Sequence, residues 1–228
     1  MKRFYHSLIL LFVLTATLHA QGDYKPSFSV LGDSYSTFKG YIEPSNNSFW
    51  YPRAKNDCVK VEQTWWYILA EDMQYRICKN NSYSGATISN TGYRKENYSD
   101  RSFTTRMTDL GSPDIIFVFG GTNDSWAKSP IGEYKYDSWA EEDLFLYRPA
   151  LAYMLDFLTK RHINTKLYFI LNSELSDQIT ASTTEVCRHY NVHCIQLHDI
   201  DKQLSHPSTQ GMRQIAEQIK NYIKQHAE

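Results

Sequence analysis

The chain has 228 residues, a formal net charge of -1 and 21% charged residues. That length suits one well-buried core and is short for two ordinary domains. A near-even charge balance without long runs of one sign gives no long-range attraction to nucleic acid or an anionic membrane, so neither is expected as a partner.

The amino-terminal residues differ in character from the rest. Lys2 and Arg3 precede the apolar run Leu8-Ile9-Leu10-Leu11-Phe12-Val13-Leu14, and Leu18-His19-Ala20 comes before Gln21. This order predicts a signal peptide over residues 1–20, followed by a single domain over 21–228 exported to the periplasm or the cell exterior. The apolar run is shorter than the roughly 20 residues that a spanning helix needs, and no cysteine follows Ala20, so no stable membrane insertion is expected. Cys58, Cys78, Cys187 and Cys194 match no zinc spacing; Cys78, Cys187 and Cys194 read as small core residues, and no pairing follows from the sequence.

Five β-like runs follow in chain order: Phe28 to Leu31, Tyr75 to Cys78, Ile115 to Phe119, Leu167 to Leu171 and Cys194 to Leu197. The third and fourth are almost continuously apolar, as expected of strands covered on both faces. Helical stripes alternate with them. Trp65, Leu69 and Met73 form one, and Leu151, Met154, Leu155 and Leu158 a second opened by Pro149; Ile179, Thr183, Val186, Cys187 and Tyr190 form a third behind the N-cap Ser176. A last helix, beginning near Ser208, carries Met212, Ile215, Ala216, Ile219, Tyr222 and Ile223. The alternation predicts an α/β fold, a three-layer sandwich around a five-stranded, mostly parallel sheet. Two long loops, Lys39 to Asp57 and Trp126 to Trp139, are rich in aromatic residues; Ser138 and Glu141 resemble a capping box for a short helix after the second.

In such sheets, ligands bind beyond the carboxyl ends of the strands. Ser34, Asn123, Glu174 and His206 all fall on that rim. A serine hydroxyl becomes a competent nucleophile only beside a base and donors for the developing oxyanion. Ser34 follows a strand in the turn Gly32-Asp33-Ser34, where its own N–H can point at the oxyanion. Gly85 offers a second backbone N–H and Asn123 a neutral amide, and His206, fixed before Pro207, is the candidate base. His189, His193 and His198 read as structural.

The motifs Gly32-Asp33-Ser34, Gly85, Gly121-Thr122-Asn123-Asp124 and His206-Pro207 resemble the four sequence blocks of the SGNH (GDSL-type) hydrolases, in that order. The resemblance spans nearly the whole chain after residue 20. It implies a flavodoxin-like sheet and ester hydrolysis through an acyl-serine, with Ser34 as nucleophile, Ser34, Gly85 and Asn123 as oxyanion donors, and His206 as base. No metal or cofactor is required. Many secreted relatives act on O-acetylated carbohydrate, so an acylated carbohydrate is the expected partner; the alternatives are a lipid-directed esterase or thioesterase and a catalytically impaired carbohydrate-binding protein.

One block departs from the pattern. Gln203 stands where the family places an aspartate, and neutralising a triad acid costs about 10⁴ in kcat in serine proteases. Three replacements are open: Asp201 or Asp199 through a shifted loop, Glu174 from the neighbouring strand end, or a backbone carbonyl serving a Ser-His dyad. A dyad or Glu174 is preferred, so Glu174→Gln is expected to cost more than Gln203→Ala. For the substrate, Trp50, Trp126 and Tyr136, with Tyr51 and Trp139, are candidate faces for sugar rings. Arg53, Lys55 and Arg101 are candidate selectors of an acidic sugar.

Overall fold

The computed structural model describes residues 24–43 and 48–226, so the predicted signal peptide lies outside the described residues. Five strands form one sheet: β1 (Ser27–Gly32), β2 (Arg76–Ser82), β3 (Ile115–Gly120), β4 (Lys166–Leu171) and β5 (His193–Gln196). All neighbours run parallel, in the order β2-β1-β3-β4-β5. The chain winds from β1 to β2 in one direction and then crosses back over β1 to β3. The crevice at this reversal lies beyond Gly32 and Gly120, where an open α/β sheet binds its ligands.

Period-two alternation divides each central strand between two cores. Phe28, Val30, Phe117, Phe119 and Ile170 face a layer made by α1 (Trp65–Met73) and, at the end of the chain, the helix Thr209–Gln225. Leu31, Ile116, Val118, Phe169 and Leu171 face the other layer, built from α2 (Phe103–Arg106), α4 (Tyr147–Arg161) and α5 (Asp177–His189). The carboxy-terminal helix is α6. Ser176 caps α5 as expected and Ser208 caps α6, each hydroxyl accepting an N–H from the first turn.

Some expectations are corrected. β2 continues to Ser82 because its polar second half, Asn80-Asn81-Ser82, is buried against β1. Cys78 is exposed because it lies on the outer half of this edge strand, while Cys58 and Cys187 are buried; all four cysteines are free thiols. The segment after β3 is not loop from its start: α3 (Thr122–Ala127) follows Gly121 and carries Trp126 near its end. The helical turn Glu141–Phe145 is capped by Asp143, which accepts the Ala140 N–H, rather than by Ser138.

After Ile200 the chain forms a two-residue hairpin, with β6 (Lys202–Gln203) antiparallel to β7 (His206–Pro207). Leu204 and Ser205 between them both have left-handed φ, 52° and 62°. That pairing matches the twist of a tight hairpin at a steric cost to two residues with side chains. The hairpin is bolted to α6: Ser208 donates its N–H to the Asp201 carbonyl (3.1 Å) and its hydroxyl to the Asp201 carboxylate. Gly211 packs so closely here that a Cβ would stand 2.1 Å from the Asp201 carbonyl oxygen. Gly211→Ala is therefore expected to destabilise the fold by about 1–3 kcal/mol, measured as a lower Tm in calorimetry. An unchanged Tm would show that the α6 junction can shift freely.

Candidate active site

The nucleophile turn is built on close packing. A Cβ at Gly32 would meet the Ser82 hydroxyl at 2.5 Å and the Ser36 Cβ at 2.7 Å, so glycine is needed here for approach. Asp33 then caps the single turn Ser34–Ser36 by accepting the Tyr35 N–H at 3.0 Å. The Asp33 carboxyl is fully buried; burial raises its pKa to about 7, against the Tyr35 bond and the Arg106 charge, which lower it. Arg106 is also buried and donates to the carbonyls of Gly32 (3.2 Å), Arg101 (2.8 Å) and Asn81, clamping the ends of β1 and β2; burial lowers its pKa to about 9.

The donor candidates are tied to this turn. Tyr83 N–H donates to the Gly32 carbonyl at 3.0 Å, and the chain then bends at Gly85, with φ 85°. The Asn123 amide Nδ2 donates to the Ala86 carbonyl at 3.0 Å, while its Oδ1 accepts the Tyr93 hydroxyl at 2.7 Å. That pair of bonds fixes the orientation of the amide and leaves its second N–H free to donate. Among the described residues, neither the Ser34 nor the Gly85 N–H is taken by a backbone acceptor. Asp124 joins the same loops, its carboxylate accepting the N–H groups of Ile88 (2.7 Å) and Ser89 (3.2 Å). Burial raises the pKa of Asp124 to about 6, and these bonds oppose the rise.

The hairpin brings His206 to Ser34, with Nε2 2.9 Å from the serine Oγ. On the other side Nδ1 lies 3.1 Å from the Leu204 carbonyl oxygen, which can only accept. Nδ1 therefore carries the proton and Nε2 presents a lone pair to the hydroxyl. Burial lowers the His206 pKa to about 4; the Leu204 bond opposes this, and the charges of Arg53 and Lys202 add to it. The imidazole is thus neutral and ready to accept a proton throughout the neutral range.

None of the candidate acids reaches the imidazole. Glu174 is 77% exposed and pairs with Lys202 at 2.8 Å. Asp201 is occupied by Ser208, and Asp199, largely in solvent, meets His198 at 3.1 Å. Gln203 turns away as well, its Oε1 accepting the Asp57 N–H at 2.9 Å. Because Gln203 pairs with His206 across the hairpin, the tight turn leaves the Leu204 carbonyl as the group beneath Nδ1.

The aromatic candidates separate. Trp126 is 41% exposed at the rim, its ring edge-on to His206 at 5.9 Å. Trp50 is buried, with the imidazole stacked on it at 3.8 Å between ring centroids and 7° between planes, so that face cannot receive a sugar. Tyr51 is fully buried and donates to the Pro207 carbonyl at 2.7 Å. Tyr136 stacks on His189 in the last turn of α5 at 3.7 Å. Since α5 returns the chain to the start of β5, that turn lies at the edge of the sheet opposite the site. Trp139 packs edge-on against Tyr153 of α4 at 5.5 Å. Of the charged candidates, Arg53 lies over the Trp50 ring and Arg101 over Tyr98.

The GDSL-like Lipase/Acylhydrolase family model matches residues 26–223. The chain belongs to this family. A protein called a GDSL-like lipase from Bacteroides ovatus is 54% identical, with a TM-score of 0.88 over 89% of this chain and 100% of that one. Another so called, from Bacteroides uniformis, is 50% identical, with a TM-score of 0.87 over 91% of this chain and 99% of that one. An acetyl xylan esterase from the rumen bacterium Butyrivibrio proteoclasticus shares the fold at 16% identity, with a TM-score of 0.56 over 90% of this chain and 65% of that one. Among curated proteins none matches. The chain is an ester-hydrolysing enzyme of the GDSL type, and its parallel five-stranded sheet is that of its relatives.

Sequence reasoning missed Tyr93, Arg106 and the stacking partner of His206. A tyrosine or arginine in an irregular loop carries no local signal of its partner, and only the burial of Asn123 and Gly32 defines theirs. Tyr93→Phe is expected to lower kcat about tenfold with KM little changed, since one orienting bond to a donor is lost. Glu174→Gln and Gln203→Ala are each expected to leave kcat within about threefold on a small chromogenic acetyl ester. A larger loss in Glu174→Gln would return the carboxylate to the imidazole.

Proposed function

We propose that the enzyme removes small O-acyl groups, acetyl above all, from carbohydrate by way of an acyl-serine, with Ser34 as nucleophile and His206 as base. The observation that carries this reading is the 2.9 Å contact between Ser34 Oγ and a neutral His206 whose Nδ1 is held by the Leu204 carbonyl. Nε2 takes the hydroxyl proton as Oγ attacks the ester carbonyl. The oxyanion is received by the N–H groups of Ser34 and Gly85 and the free N–H of Asn123. The imidazolium then protonates the departing sugar oxygen, the bond to that oxygen breaks, and Ser34 remains acylated. Water, deprotonated by His206, releases the acid and restores the hydroxyl.

Two observations support the small acyl group and the sugar. Tyr35, Trp50 and Tyr51 are buried and fill the space beside the imidazole, which favours a short acyl chain over a long one. Trp126 keeps an exposed indole at the rim, where a sugar ring can pack. The fold likeness to the acetyl xylan esterase is in keeping with this substrate class. The leader-like composition of residues 1–20 supports export, which would bring the enzyme to extracellular or periplasmic glycans.

The test is hydrolysis of chromogenic acetyl and octanoyl esters together with acetate release from acetylated polysaccharides. Acetyl is expected to be preferred, and Ser34→Ala to lose at least about 10³-fold in kcat. Preference for octanoyl would favour a lipid-directed enzyme. Activity undiminished in Ser34→Ala would remove the nucleophile.

A further inference from the structure

Two hydrogen bonds hold the His206 ring, one at each nitrogen, at 3.1 Å and 2.9 Å. They set the tautomer and the distance to Ser34, but they restrain the tilt of the ring only softly, because a carbonyl accepts over a broad range of directions. In a triad a carboxylate restrains this orientation and also balances the charge of the imidazolium. Here the orientation is left to another group.

We infer that Trp50 is a positioning residue for His206: its indole, face to face with the imidazole, fixes the ring plane and keeps water from that face during turnover. The inference rests on the reading of His206 as catalytic base. The stack is close and nearly parallel, 3.8 Å and 7°, while the other neighbouring rings, Tyr35, Tyr51 and Trp126, meet the imidazole at 56° to 77°. Among the described residues only Trp50 stacks parallel on the imidazole.

Trp50 is itself tied to both partners of the dyad. Its N–H donates to Thr37 Oγ1 at 2.9 Å, and that hydroxyl donates to the Ser34 carbonyl at 2.9 Å. The next residue, Tyr51, bonds through its hydroxyl to the Pro207 carbonyl at 2.7 Å and accepts the Lys39 N–H at 2.9 Å. The loop carrying Trp50 is thus pinned to the nucleophile turn on one side and to the His206 hairpin on the other. The indole is the rigid spacer between them.

The charges facing the imidazole make this contact more consequential. Arg53 lies over the Trp50 ring, 5.6 Å from its centroid, and Lys202 extends from the paired strand; Glu174 is drawn to Lys202. Arg53 and Lys202 both oppose a proton on His206. Without Trp50, the ring would also gain water on one side, and the burial that keeps its pKa near 4 would be relieved.

The test compares Trp50→Phe, Trp50→Leu and Trp50→Met with the native protein by kcat and KM on a small acetyl ester against pH, alongside ¹⁵N NMR titration of His206 without substrate. Leu and Met are expected to lower kcat about 10- to 100-fold with KM within about threefold. The acid limb, expected near pH 4 for the native protein, should move up toward the ordinary histidine value of about 6.5. Phe should recover kcat to within about fivefold of native. Leu or Met variants with native kcat and a native acid limb would overturn the inference, as would a Phe variant as impaired as Leu, or failure of both Leu and Met variants to fold. If the native protein hydrolyses no ester, the esterase reading fails, and the His206 titration still decides whether Trp50 governs the imidazole.

Discussion

Everything at the rim depends on one hydrogen bond, from His206 Nδ1 to the carbonyl of Leu204. A carbonyl oxygen cannot donate, so it selects the tautomer with its lone pair at Nε2, and it does so without carrying charge. The bond exists because the hairpin turns in two residues, with Leu204 and Ser205 both held at left-handed φ. Such strain persists only where the surroundings over-determine it. Here the surroundings are the Asp201 anchorage to Ser208, the close packing of Gly211 of α6 on the Asp201 carbonyl and the Gln203 bond to the Asp57 N–H.

The other half of the site rests on buried polar groups rather than on apolar packing. Arg106 binds the carbonyl ends of β1 and β2, and Asp124 binds the loop after β2 to α3. Ser34 and Asn123 stand on opposite sides of the same crevice, and these ties keep the crevice at fixed width. An acyl-transfer site needs that rigidity, because donors aimed at an oxyanion act fully only if they need not reorganise when charge develops. The polar network serves the geometry of the site, and burial gives its members strongly shifted pKa values.

Much of this was legible in the sequence where the signal is local and periodic. The continuous apolar runs at Ile115 to Phe119 and Leu167 to Leu171 could hardly be other than central parallel strands, and the stripes of α4 and α6 mark their buried faces. Ser34, Asn123 and His206 were readable because each follows a strand end or precedes a helix cap. The hairpin was not readable, since Leu204-Ser205 lacks the glycine or asparagine that announces such a turn. Trp50 and Tyr136 read as sugar platforms in the sequence because composition does not encode which face of a ring is covered; packing against His206 and His189 decides that. Glu174 sat at the expected strand end, yet Lys202 was the partner within reach.

On the proposed mechanism, Ser34 is a nucleophile whose reactivity depends on His206. The most direct measurement is covalent labelling with a fluorophosphonate, read by mass spectrometry of the digested protein. A single adduct on the peptide carrying Ser34, with labelling slowed at least about 10³-fold in His206→Ala, is the expected result. An adduct on another residue, or Ser34 labelled as fast without His206 as with it, would contradict the account.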